Sequence, residues 1–158
     1  MQDRKQHVSE LIRPALVAGR IVITDRYYFS TVAYQGARGY DPHALLKQNE
    51  AIAVEPHLLV LLDLAPEISV ARIGRRGDSL NHFEAVSQLA RARQIFLDLQ
   101  KPYLVRLDGQ GRPDEIRDAI LLAFGRAALD RIAAAPGLTV RERLNACLAI
   151  HGAKPLPD

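Results

Sequence analysis

Apolar positions recur along the chain with two periods, and the switches between them divide it into helices and strands. Val8, Leu11, Ile12, Ala15 and Leu16 repeat at helical spacing, and Gly19 stands where a left-handed C-terminal cap belongs, so residues 3–18 are predicted to form a helix. Ile21-Val22-Ile23-Thr24 is a short β-branched run without polar alternation, the pattern of a strand buried on both faces of a parallel sheet, and Asp25 closes it. Asp41-Pro42 offers an N-cap followed by proline at the first helical position, which predicts a helix to about Val54. Leu58 to Asp63 repeats the earlier pattern, an apolar strand closed by an aspartate. Pro66-Glu67 opens a further helix, which ends near the basic segment Gly74-Arg75-Arg76-Gly77. A longer helix follows from about Asn81 to Gln100, then a third strand, Tyr103 to Leu107. After the turn Asp108-Gly109-Gln110-Gly111, Pro113 begins a helix carrying Ile116, Ile120, Ala123 and Phe124 on one face.

Strands alternating with helices predict an α/β domain with a doubly wound parallel sheet over residues 1–132. Residues 133–158 are expected to add a hinge, Ala133-Ala134-Ala135-Pro136-Gly137, and a short C-terminal helix opened by Thr139 and Glu142 at capping-box spacing. Only three strands are legible.

Composition narrows the classes of function. With 48% hydrophobic and 25% charged residues, 158 residues suffice for one globular core. The longest apolar run, Leu58 to Leu62, is far shorter than the roughly 20 residues of a membrane-spanning helix. The polar stretch after Met1 lacks the apolar centre of a signal peptide, so a cytoplasmic location is expected. Cys147 is the sole cysteine, which excludes an internal disulfide and a cysteine zinc cluster and fits a reducing compartment. A net charge of +3 and a pI near 9.2 could serve nucleic acid, but the arginines are dispersed and no base-reading motif or aromatic platform accompanies them. Phosphate on a small ligand accounts for the excess equally well.

The candidate chemistry lies in Asp25-Arg26-Tyr27-Tyr28-Phe29-Ser30-Thr31-Val32-Ala33-Tyr34-Gln35-Gly36, directly after the first expected strand. A carboxylate at a strand's C-terminal end can hold a hydrated magnesium ion, and an arginine fork can bridge phosphate oxygens. Taken alone, Asp25 and Arg26 are read more simply as an ion pair with each other or with a helix end. The full string resembles the thymidylate kinase family, whose pattern here has the form D-R-Y-x-x-S-x-x-A-Y-Q-G, and each fixed position is present. The resemblance extends through Asp3-Arg4 and Ile12-Arg13-Pro14-Ala15-Leu16 before it and through the basic segment after it, covering about residues 3–124.

That resemblance implies a P-loop nucleoside monophosphate kinase fold and transfer of the γ-phosphate of ATP to thymidine monophosphate, with Mg2+ and without a covalent enzyme intermediate. It implies that Arg26 contacts the monophosphate, that Asp25 belongs to the magnesium sphere, and that Ser30 and Thr31 make polar contacts to the nucleotide. Tyr34 would pack beside the deoxyribose and exclude a 2′-hydroxyl, Gln35 would lie near the base, and Arg4 would donate to the thymine carbonyl edge. Arg72, Arg75 and Arg76 resemble the basic lid over the phosphates. A solvated basic loop is their plainer reading. Where the family commonly has Asp-Arg-x-Glu, this chain reads Asn81-His82-Phe83-Glu84; Phe83 and Glu84 keep the means to reach the nucleotide. Family members are commonly homodimers built on helices matching residues 4–18 and 42–54.

No G-x-x-x-x-G-K-[ST] sequence occurs in the 158 residues. In the family that loop comes first, so the expectation is a chain truncated by roughly 60 to 80 residues at about 30 or more per strand-helix unit. The strand that carries the loop lies between the two aspartate-closed strands, so the sheet is expected to be left with unpaired edges and to fold poorly unless another polypeptide supplies the segment. An inactive nucleotide-binding or interaction remnant is the alternative function; a deoxynucleoside kinase is disfavoured by the Ala33-Tyr34-Gln35-Gly36 ending.

Overall fold

The computed structural model describes residues 2–74, 82–134, 139, 141–142 and 145, the side chains of 73–74, 82–85 and 132–134 excepted. The expected first helix forms, but in three pieces: α1 (Gln2–His7), a π-helical turn (Val8–Ile12) and α2 (Arg13–Val17). The Arg13 N–H reaches back five residues to the Val8 carbonyl. Pro14, one residue on, has no N–H and its ring crowds the carbonyl four residues earlier, and a widened turn relieves that conflict. Gly19 ends the helix in the left-handed region at φ 72, with Arg20 N–H bonded to Ala15 O at 2.9 Å and Gly19 N–H to Leu16 O at 3.0 Å.

The strand expected at Ile21–Thr24 is not observed: the segment pairs with no described strand, and Ile23 is 89% exposed. β-branched residues favour an extended backbone, yet a strand exists only where a neighbour completes the ladder. The described sheet therefore has two strands rather than three. They are β1 (Leu59–Asp63) and β2 (Leu104–Asp108), parallel and in register from Leu59 opposite Leu104 to Asp63 opposite Asp108.

Around this pair stand α3 (Tyr28–Ala37), α4 (Pro42–Glu50), α5 (Pro66–Gly74), α6 (His82–Leu97) and α7 (Pro113–Ala134). Asp41 caps α4 as expected, its carboxylate accepting from His43 N–H at 2.9 Å, but the helix stops at Glu50, short of Val54. The hinge expected at 133–137 begins inside the last turn of α7, and residues 135–137 lie outside the described residues. Beyond it, Thr139 and Glu142 make the reciprocal capping-box bonds, Glu142 N–H to Thr139 Oγ1 at 3.3 Å and Thr139 N–H to Glu142 Oε2 at 2.7 Å.

The core is built on α3. Its Tyr28 and Phe29 are buried with Ala53 and Leu99 against Leu59 and Leu104 at the starts of the two strands. Ala33 and Ala37 meet Ala92 of α6, and these small side chains let the two helices approach closely. On α7, Ile116, Ile120 and Ala123 are half-buried, while Leu121, Leu122 and Phe124 are exposed.

Candidate functional site

The same periodicity that buries one side of α3 presents the other. Tyr28, Phe29, Val32 and Ala33 face inward, whereas Thr31, Tyr34 and Gln35, spaced three and four apart, share the opposite face. Tyr27 and Tyr28 thus serve the core rather than the site. Tyr27 accepts a bond from Val54 N–H at 3.3 Å, and burial, aided by Tyr103, pushes the Tyr28 hydroxyl well above its ordinary pKa.

Asp25 and Arg26 lie exposed in the turn ahead of α3, and Arg26 holds φ at 57, a conformation costly for a residue with a side chain. Its guanidinium sits 5.4 Å from the centroid of the Tyr34 ring, a cation-π arrangement. Tyr34 in turn meets Phe96 of α6 edge-on, with centroids 6.4 Å apart and rings at 84°. Arg26 and Tyr34 are therefore brought together, and α6 fixes the ring's other side.

From a distant part of the chain, α1 delivers Arg4 to the same face of α3. Its Nη2 donates to Thr31 Oγ1 at 2.9 Å and its Nη1 to Asn49 Oδ1, so one guanidinium ties α1 to α3 and α4. Asn49 is 1% exposed and its Nδ2 donates to Leu45 O at 2.7 Å. Ser30 and Thr31 are half-buried beside this cluster, Ser30 bonding through its N–H to Tyr27 O at 3.1 Å, and Gln35 is exposed.

Arg72 lies elsewhere, in α5. Its Nη1 donates to Gly109 O at 3.2 Å, and it lines a groove of about 560 Å³ with Leu62, Gly111, Ile116, Arg117 and Ile120 beyond the C-terminal ends of the strands. Arg75 and Arg76 lie outside the described residues, as do the side chains of Phe83 and Glu84, whose backbone belongs to α6. At the end of β1, Asp63 accepts two bonds from Arg93, Nε at 2.6 Å and Nη2 at 2.8 Å, and the guanidinium holds the carboxyl below the usual carboxylate range.

Asn49 and Arg93 escape sequence reasoning. Asn49 falls in a polar helical stretch, Lys47-Gln48-Asn49-Glu50, where nothing in the pattern distinguishes it from solvated neighbours. Arg93 is one of two arginines in α6, two residues from Arg91, and nothing in the local pattern pairs it with Asp63 thirty positions earlier.

Among the described residues no helix is long and apolar enough to cross a membrane, and no three His, Cys, Asp or Glu side chains gather as a metal cage. A single carboxylate such as Asp25 still fits magnesium, which keeps several waters and takes further oxygens from substrate phosphates.

Two parallel strands closed by carboxylates and joined through helices are the parts of an α/β protein. The thymidylate kinase family model matches residues 1–120. The chain is 46% identical over 132 residues to the thymidylate kinase of Xanthomonas campestris pv. campestris (strain B100), an alignment that covers 84% of this chain and 58% of that protein. It is 40% identical over 141 residues to the thymidylate kinase of Xylella fastidiosa (strain 9a5c), covering 89% of this chain and 67% of that protein. To the thymidylate kinase of Akkermansia muciniphila it is 38% identical over 134 residues, covering 85% and 65%. The chain belongs to the thymidylate kinase family, and its fold class is the P-loop nucleoside monophosphate kinase type, here with an incomplete parallel sheet. It spans 58% of the length of the Xanthomonas relative.

Proposed function

We propose that this chain forms the thymidine monophosphate side of a thymidylate kinase, which transfers the γ-phosphate of ATP to thymidine monophosphate and releases ADP and thymidine diphosphate. The observation that carries the reading is the Arg4 guanidinium, delivered by α1 and held against Thr31 on the outward face of α3. With two of its five N–H groups engaged there, the rest can donate to the carbonyl edge of thymine, where cytosine would present an amino donor and be refused.

In this reading a monophosphate oxygen attacks the γ-phosphorus and the bond to ADP breaks, so the protein supplies position and charge rather than a covalent group. Arg26 binds the monophosphate from its place beside Tyr34, whose ring lies along the deoxyribose. Ser30, Thr31 and Gln35 add polar contacts, and the family resemblance assigns Phe83 and Glu84 to the same substrate. Arg72, Arg75 and Arg76 bring positive charge to the transferring phosphate. Asp25 would hold Mg2+, which would supply charge neutralisation at the phosphates. The phosphate loop comes from a segment outside these 158 residues, within the same polypeptide or from a partner, in a cytoplasmic enzyme that forms a homodimer.

The test is calorimetric titration with thymidine monophosphate, cytidine monophosphate in its deoxy form, and thymidine, alongside an assay of ADP release. Thymidine monophosphate is expected to bind tightest, and Arg4→Ala to lose about 10-fold or more of its preference over the cytosine nucleotide, the worth of a hydrogen bond from a charged donor. Equal affinity for the thymine and cytosine nucleotides, or a preference untouched by Arg4→Ala, would overturn the reading.

A further inference from the structure

Arg4 has two anchors, and they differ in kind. Thr31 is half-buried on the face where the nucleotide is proposed to lie, so its hydroxyl is open to exchange between arginine and ligand. Asn49 is not: it is 1% exposed, in the last turn of α4, behind the guanidinium. Its amide has one orientation that satisfies both ends, with Nδ2 on the Leu45 carbonyl and Oδ1 turned to Arg4. Turning the amide over would set an amino group against the guanidinium and a carbonyl oxygen against a carbonyl oxygen. In a buried setting each mismatch goes uncompensated by water.

The choice of a neutral amide also has a consequence for charge. A carboxylate at this point would seat an arginine as firmly, yet it would neutralise the cation that has to face the ligand. Asparagine supplies the acceptor and leaves the charge unspent. It does so at a helical position where it is a poor helix former and where alanine would serve the backbone better.

We infer that Asn49 is a positioning residue for base recognition: its buried carbonyl oxygen holds the Arg4 guanidinium in the orientation that reads the thymine edge. The inference rests on the proposed role of Arg4 in binding thymidine monophosphate. Asn49 touches no ligand and acts only through Arg4, which distinguishes it from Thr31.

The experiment combines two readouts on the four proteins of a double-mutant cycle, wild type, Arg4→Ala, Asn49→Leu and the double variant. The first is the midpoint of thermal unfolding without ligand, which reports whether the two side chains interact. The second is the ratio of affinities for thymidine monophosphate and its cytosine counterpart. Non-additive midpoints are expected, with the preference for thymine reduced about 10-fold by Asn49→Leu and not reduced further when Arg4→Ala is already present. Asn49→Asp, which keeps an acceptor toward Arg4 at the cost of the bond to the Leu45 carbonyl, is expected to lower the midpoint but retain the coupling with Arg4 while losing part of the preference. Additive midpoints, loss of coupling in Asn49→Asp, or an Asn49→Leu protein that keeps the wild-type preference while Arg4→Ala loses it would overturn the role of Asn49 and leave the proposed function standing. A preference that survives Arg4→Ala would overturn the reading of Arg4 itself, and the positioning role with it.

Discussion

Adding one methyl group at Gly36 tests whether the close approach of α3 to its neighbours is what sets the site. A Cβ at this position would lie 2.7 Å from Ile95 Cδ1 of α6 and 3.0 Å from Pro42 Cγ of α4. Comfortable carbon contacts are about 3.5–4.0 Å, so both are short by half an ångström or more. The Ile95 methyl can rotate away, but the Pro42 ring is fixed at the first turn of α4 and has no such freedom. Overpacking of this kind costs about 1–3 kcal/mol. Against it stands the helix propensity of alanine over glycine, about 1 kcal/mol.

Gly125 in α7 separates the two terms, because a Cβ there meets nothing within 4 Å. Gly125→Ala is expected to stabilise by up to about 1 kcal/mol. Gly36→Ala should then fall below it by about 1–3 kcal/mol, the propensity cancelling in the comparison. For a chain of this length that is a separation of roughly 2–12 °C in Tm, at 2–4 °C per kcal/mol. Urea unfolding of the two variants measures it directly, and Gly36→Ala should also weaken the proposed binding of thymidine monophosphate, since Tyr34 is displaced from Phe96 as α3 moves. If Gly36→Ala proves as stable as Gly125→Ala, the packing argument for the last glycine of the motif is wrong.

Two further predictions concern titration. The Arg93 guanidinium lowers the Asp63 pKa below its ordinary 3.8, so the pair's contribution is complete above that value and is lost as pH falls through the lower folded value; Arg93→Met should flatten the acid limb of a stability-pH profile, and an unchanged limb would refute the assignment. Partial burial, and secondarily the Arg131 guanidinium on α7, lower the His57 pKa below 6.5, so the neutral ring is favoured in the folded state and stability declines as pH drops below that value. Arg131→Met should raise the His57 pKa only part of the way back, as read by NMR titration of the ring protons, because burial is the larger cause; no movement at all would remove Arg131 from the account.

Much of the local structure was legible because its determinants are short in range. The Asp41 cap, the Gly19 terminus, the Thr139-Glu142 box and the apolar run closed by Asp63 each depend on residues within a few positions of one another. The motif from Asp25 to Gly36 was readable as a family pattern, but no helix was predicted there, and the structure alone shows α3 over Tyr28–Ala37 with a buried and an outward face. What local pattern could not supply was the partner. Ile21–Thr24 has the composition of a central strand and no described strand beside it, and the helix around Pro14 has the right period but needs a π turn to continue.

The sequence by itself therefore pointed to the family, the two paired strands and most of the helices, whereas α3 and its two faces came only with the structure. Tertiary structure alone decided that Arg4 meets Asn49 across 45 positions and Thr31 across 27, that Asp63 is held by Arg93, and that Arg72 lines a groove to which Arg26 does not contribute. The reason is physical: propensity and capping are fixed by neighbours along the chain, whereas the environment of a buried amide or a shared guanidinium is set by which helices pack together, and that is a property of the folded whole.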